Sequence, residues 1–176
     1  MPEQSNDLWA PWRMEYIRAS SGSVDPGECF LCSYAARPDQ DAQNHIVWRT
    51  ENCLTLFNGF PYSNGHLMVA PIQHAPLLGE LPDPVLLELW RQTHDAQRLL
   101  VETTSAQGFN VGLNFGRCAG AGLPGHLHIH IVPRWIGDTN FMSVVGDTRV
   151  IPESIADLHA SMRTAAVKLG LPAVRG

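Results

Sequence analysis

Between positions 45 and 133 the chain alternates short runs of apolar and β-branched residues with glycine, proline and asparagine turns. Runs of this kind predict strands over 45–49, 53–58, 66–71, 109–115 and 126–133. The turn between the first two is too short for a crossover, so that pair must be antiparallel. Between the third and fourth runs the period changes to that of a helix. Leu86, Leu89, Trp90, Thr93, Ala96 or Gln97, and Leu100 form one stripe. Asp83 can cap this helix, Pro84 can fill its first turn, and Gly108 lies beyond its end. A second helix is predicted over about 152–169. Ile155, Leu158, Met162, Ala165 or Ala166, and Leu169 line one face, and Gly170 suits its C-terminal stop. The 135–150 stretch between the last strand and this helix is irregular. The class is α+β.

These elements set the expected boundaries. A polar, glycine- and serine-rich segment at 20–28 separates an N-terminal arm, residues 1–28, from a main domain over 29–150. Residues 151–176 form the C-terminal helix and tail. The arm carries Trp9, Trp12 and Tyr16, aromatic surface expected to pack on the body or on a partner subunit. A length of 176 residues with 44% hydrophobic and 16% charged positions suits one soluble domain with a sizeable core. The net charge of −5 excludes bulk attraction to a nucleic-acid polymer or an anionic membrane, so an anionic ligand must be held by local features. The N-terminus lacks the basic start and apolar stretch of a signal peptide, and no apolar run reaches the ~18 residues of a membrane span. The expected location is cytoplasmic, where the four cysteines are thiols or metal ligands.

The last strand changes the picture. In His126-Leu127-His128-Ile129-His130-Ile131-Val132 the alternation puts Leu127, Ile129 and Ile131 on one face. His126, His128 and His130 fall on the other, at intervals of roughly 6–7 Å. Three imidazoles on one open face suit a metal site, a nucleophilic histidine, or both; the bland alternative is a solvated polar face. Four glycines in the ten residues 116–125 lead into this strand. Such a loop is often only a loop, but before three aligned histidines its amides can cradle a phosphate. Cys29 and Cys32 have the spacing of a zinc knuckle, with a redox pair or two buried thiols as alternatives. In 57–71, a strand, a tight loop and a strand, Asn58 alone reads as a turn residue and His66 as a structural histidine.

Together these residues resemble the histidine triad superfamily of nucleotide hydrolases and transferases. The His126-Leu127-His128-Ile129-His130-Ile131-Val132 run carries the signature. Asn58, Pro61, Gly65-His66, Asn114 with its following glycine loop, and the Cys29/Cys32 pair also fit. Within the superfamily the chain is most similar to the diadenosine tetraphosphate phosphorylase type, through 8–14, 108–114 and 132–141.

The resemblance implies a five-stranded antiparallel sheet with two main helices, in a homodimer that joins two sheets. It implies cleavage of nucleotide phosphoanhydrides, diadenosine tetraphosphate or related dinucleoside polyphosphates, with phosphate or water as acceptor. His128 would be the nucleophile and form a nucleotidyl-histidine intermediate, with His130 and His126 as the other catalytic histidines. His130 and His66 would contact the phosphate, Asn58 the ribose, and Asn114, with Gly120 and Gly122, the phosphate or leaving group. A structural zinc would be held by Cys29, Cys32, His74 and His126. The alternatives are hydrolysis of nucleoside phosphoramidates or adenylylated adducts, and non-catalytic nucleotide binding. One departure stands out: where many members carry Ser, Thr or Gln before the triad, this chain has Gly122 and Leu123, so backbone amides or Arg117 would have to substitute.

Overall fold

The computed structural model describes residues 29–138 and 153–171. The expected arm, the 139–150 part of the irregular stretch and the end of the tail lie outside the described residues. In chain order the elements are α1 (Phe30–Ala36), β1 (Ile46–Arg49), β2 (Cys53–Phe57), β3 (Leu67–Pro71), α2 (Asp83–Thr104), β4 (Gly108–Leu113), β5 (Ile129–Arg134) and α3 (Ile155–Lys168), with short 3-10 turns between some of them. The strands form one sheet in the order β1-β2-β3-β5-β4. Every pairing in it is antiparallel. The α+β class and the five-stranded sheet are as expected from the sequence.

The period-two pattern sorts each strand between the two faces of the sheet. Phe57, Leu67, Val69, Ile129 and Ile131 face α2 and α3 and form the main core with Leu89, Ala96, Leu99, Leu100, Leu158 and Met162. Ile46, Leu54, Leu56, Met68 and Ala70 face the other way, where Cys29, Leu31 and Leu123 pack on them. That second face is therefore apolar beneath α1. Further along it, where Met68 pairs with His130, it turns polar.

Several sequence expectations need correction. The helix α2 runs to Thr104 and stops at Ser105, which is left-handed with φ 52°, rather than at Gly108, which opens β4. Asp83 is its first helical residue and Pro82 holds the cap position. Val85, Leu89, Gln92, Thr93, Ala96, Leu99 and Leu100 are its buried positions, whereas Trp90 is half exposed, so the buried stripe is rotated from the expected one. The sequence pattern gives no sign of α1, because seven residues are too few to show a period. Ladder pairing in β5 begins at Ile129, and His126 and His128 lie in the segment leading into it. The expected open face at the triad is closed there too: His126 and His128 are both buried.

The C-terminal helix agrees closely with its pattern. Ser154 caps α3 by accepting from the Asp157 amide, and Gly170, with φ 65°, ends it. Gly65 meets a stricter demand. Its φ is +77°, and a Cβ there would lie 2.8 Å from the buried Leu100 side chain. Only glycine lets the chain turn into β3 this close to α2.

Candidate active site and metal centre

The polar part of the second face is assembled by register. Phe57 pairs with Leu67, which sets Asn58 and His66 beside each other just beyond the ends of β2 and β3; the Asn58 amide donates to the His66 carbonyl at 3.0 Å. Alternation places both on the side of Met68, and hence of His130. Gly112 of β4 pairs with His130 on the far side, and a Cβ added there would meet no atom within 4 Å, so there is open space beside His130. Leu113 pairs with Ile129, and Asn114 follows it directly, just past the end of β4.

Hydrogen bonds to backbone atoms fix the state of each ring. A peptide N–H can only donate, and the Tyr62 amide points at His66 Nδ1 at 3.1 Å. That nitrogen is therefore the acceptor, and His66 carries its proton on Nε2. His66 Nε2–H then donates to His130 Nδ1 at 3.1 Å. The proton of His130 is left on Nε2, directed away from this pair. Asn58 Nδ2 lies 3.5 Å from His66 Nε2. Its own Oδ1 is taken by the Phe60 amide at 2.8 Å, so Nδ2 is a donor facing a donor and makes contact without a bond. A carbonyl can only accept, so His128 Nδ1 donates to the His126 carbonyl at 2.9 Å and its basic nitrogen is Nε2. His126 Nε2 donates to the Pro71 carbonyl at 2.8 Å, which leaves Nδ1 basic.

Burial holds this set neutral. It pushes the His66 imidazole down to about 3, with His130 and His128 adding to the effect. It pushes His130 down to about 4, helped by His128. His128 and His126 are also lowered by burial, partly opposed by the carbonyls they bond. The rings touch: His128 and His130 centroids are 4.8 Å apart, and His66 and His130 are 5.2 Å apart. A second imidazolium in such a cluster would be expensive.

The metal-type residues converge next to it. Ligand atoms of Cys29, Cys32, His74 and His126 all lie within 4.8 Å of one another. Cys29 Sγ is 3.2 Å from His126 Nδ1, and Cys32 Sγ is 3.2 Å from His74 Nδ1 and 3.5 Å from His126 Nδ1. Tetrahedral zinc, with bonds near 2.3 Å to sulfur and 2.0–2.1 Å to nitrogen, separates its ligand atoms by about 3.3–3.8 Å. The set of two sulfurs and two nitrogens fits zinc, and His126 Nδ1 is already the basic nitrogen it needs. Cys29 at the start of α1 and Cys32 in its first turn share one side of the helix through their i, i+3 spacing. Burial and the neighbouring Cys29 push the Cys32 thiol up to about 11, so a cation's charge is what would make it a thiolate.

The glycine loop spends part of its backbone on itself. Gly120, left-handed at φ 82°, donates to the Arg117 carbonyl at 3.0 Å, and the Ala121 amide donates to Gly116 at 3.4 Å. Gly122 is exposed, and Leu123 is buried beside Cys29 and Leu31. Sequence reasoning missed two contributors, the Tyr62 amide and the Pro71 carbonyl. Both act through the backbone, so no residue type could have signalled them.

Comparison with known proteins agrees with this geometry. The HIT domain family matches residues 39–135. AP-4-A phosphorylase of Mycobacterium tuberculosis strain H37Rv is 36% identical, over 92% of this chain and 85% of its own length. Among solved structures, a Zn-bound histidine triad family protein from Mycobacterium smegmatis is 25% identical with a TM-score of 0.67, covering 82% of this chain and 96% of that one. A histidine triad nucleotide-binding protein from Sulfolobus tokodaii is 26% identical with a TM-score of 0.62, covering 81% and 97%. With three histidines alternating along the segment that leads into and opens β5, a fourth imidazole completing the cluster and a match along most of its length, the chain belongs to the histidine triad (HIT) family.

Proposed function

We propose that the protein cleaves the phosphoanhydride bridge of dinucleoside polyphosphates, diadenosine tetraphosphate foremost, by nucleotidyl transfer through His128. The carrying observation is the protonation pattern. His128 keeps Nε2 basic because its Nδ1–H is fixed on the His126 carbonyl, while His130 presents an N–H beside it. In the first step the His128 Nε2 lone pair forms a bond to the α-phosphorus. The bond from phosphorus to the bridging oxygen breaks, and its electron pair leaves with the departing nucleotide. His130 Nε2–H donates to a phosphoryl oxygen as negative charge builds. In the second step water, releasing a proton to solvent, or phosphate attacks the same phosphorus, and the P–N bond returns its electrons to Nε2. Two displacements replace one harder displacement. Asn58 takes the ribose; Asn114 and the Gly122 end of the glycine loop take the phosphates or leaving group. Gly120 supports that loop through its turn.

Zinc, held by Cys29, Cys32, His74 and His126, would be structural, with four protein ligands and no open position. It would tie α1 to the segment that carries His128. The domain over 29–150 would work together with α3, whose Leu158 and Met162 close its core, in a cytoplasmic homodimer. The edge position of β4, with Val111 exposed on it, supports a sheet-to-sheet contact, and sedimentation at two ionic strengths tests it.

Product analysis on diadenosine tetraphosphate tests the chemistry. ADP plus ATP only in the presence of phosphate identifies a phosphorylase; AMP plus ATP without it identifies a hydrolase. The His128→Ala protein should fold and fall at least a thousandfold in kcat, on the order of the loss seen when a nucleophile is removed. Turnover by that variant near the wild-type rate would sink the mechanism.

A further inference from the structure

The Cys29/Cys32 pair that suits zinc also suits thiol redox chemistry. A redox pair stands at the start of a helix, and this one does: Cys29 holds the cap position of α1 and Cys32 lies in its first turn. Both are free thiols, and their sulfurs lie within 4.8 Å of each other. Residues three apart inside a helix keep their Cβ atoms about 5–6 Å apart, more than the ~3.8 Å of a disulfide. Cys29 escapes that limit because its backbone is extended, with ψ 106°. Rotation about that ψ swings its side chain toward Cys32, while its carbonyl goes on accepting from the Ser33 amide at 3.0 Å. Solvent reaches the pair from one side: Cys29 is buried, but Cys32 is half-buried and His74 is exposed.

We propose that Cys29 and Cys32 are a peroxide-sensitive modification site, whose oxidation to a disulfide empties the zinc site and switches off the active site beside it. The proposal rests on the zinc and His128 readings above. One thiolate attacks a peroxide oxygen; the O–O bond breaks, hydroxide leaves and takes up a proton, and a sulfenic acid remains. The second thiolate attacks that sulfur, the S–S bond forms, and a second hydroxide leaves and takes up a proton. In sum each thiolate loses one electron, and the peroxide takes both and becomes water. The site then keeps only the imidazoles of His74 and His126, too few ligands for a tetrahedral ion. The effect reaches the active site along short links. The His126 carbonyl holds His128 Nδ1 at 2.9 Å, and the Leu127 amide donates at 2.8 Å to the carbonyl of Ala75, next to His74. Leu123 of the glycine loop packs with Cys29 and Leu31. A bridge that closes so short a loop is strained and readily reduced, so the change is reversible.

The test treats the zinc-loaded protein with hydrogen peroxide and follows zinc release with a chromophoric chelator. Release should keep pace with loss of the Cys29 and Cys32 thiols, and the peptide holding both should lose two hydrogens in mass. Turnover of diadenosine tetraphosphate should fall roughly tenfold or more, as when a supporting partner beside a metal is lost. Dithiothreitol with zinc should restore both. Cys118→Ser, which removes an exposed thiol outside the pair, should release zinc as the wild type does. Cys32→His, which keeps four ligands but cannot form the bridge, should hold its zinc through the same treatment. Zinc retained by the wild type, or released equally from Cys32→His, would overturn the proposal. So would release with both thiols driven to sulfinic acid, which dithiothreitol does not reverse. A protein without zinc before peroxide is added would remove the metal reading and this proposal together. Reversible zinc release from a protein that never turns over the substrate would support the disulfide and strike the nucleotidyl-transfer reading instead.

Discussion

The chemistry of single residues here is set by which atom of each ring the backbone occupies. His66, His130, His128 and His126 have the same side chain but end with different free nitrogens, because Tyr62 offers a donor while His126 and Pro71 offer acceptors. Burial then keeps the cluster neutral, and this has a consequence for acid stability. The folded-state values of His66 and His130 lie near 3 and 4, below the ~6.5 of an unfolded chain. As pH falls below about 6.5 the unfolded state takes up protons that the folded state refuses, so stability declines through the window down to pH 4 and 3. The urea midpoint should therefore drop steadily from pH 7 to pH 4.5. In zinc-saturated His66→Gln protein the drop should be shallower; an identical slope would show that His66 contributes nothing.

At the scale of elements, the metal centre depends on where α1 is held. Arg49, at the end of β1, donates to the Tyr34 carbonyl at 2.5 Å and to the Ala35 carbonyl at 3.1 Å, both at the C-terminus of that helix. It also forms an ion pair with the buried Asp41, donating through Nε at 2.6 Å. One side chain thus satisfies two open helix carbonyls and neutralises a buried carboxylate. Arg49→Ala should destabilise the protein by about 3 kcal/mol, because Asp41 is left buried without its partner. Adding Asp41→Asn should recover part of that loss, as read by denaturant unfolding. A single variant as stable as the wild type would show that α1 is held by its apolar face alone. The five strands are legible from period two and α2 from its stripe, but the stripe puts Trp90, which is half exposed, on the buried side. Trp90 is apolar, and period cannot tell a covered tryptophan from one half in water.

For the whole molecule, zinc and the sheet share one segment. His126 offers a ring nitrogen to the metal site and its carbonyl to His128, so a structural ion would stiffen the nucleophile's support. Metal present at about a thousand times its Kd adds roughly 4 kcal/mol to the folded state. For a chain of this size that corresponds to a rise in Tm on the order of 10 °C. Stripping with a chelator should lower the Tm by that much, and zinc should restore it. No response to either would exclude a structural ion. Among the described residues no helix is long and apolar enough to cross a membrane.

The sequence alone determined what depends on local order. Alternation sorted Leu127, Ile129 and Ile131 from His126, His128 and His130, and the i, i+3 spacing paired Cys29 with Cys32. Tertiary structure decided what depends on atoms far apart in the chain. Strand register brought His66 to His130, and the packing of α1 on the second face of the sheet brought two sulfurs to His74 and His126. It also decided which nitrogen of each imidazole is free, since that choice belongs to a backbone amide or carbonyl. Every residue type carries such atoms, so the sequence cannot single them out.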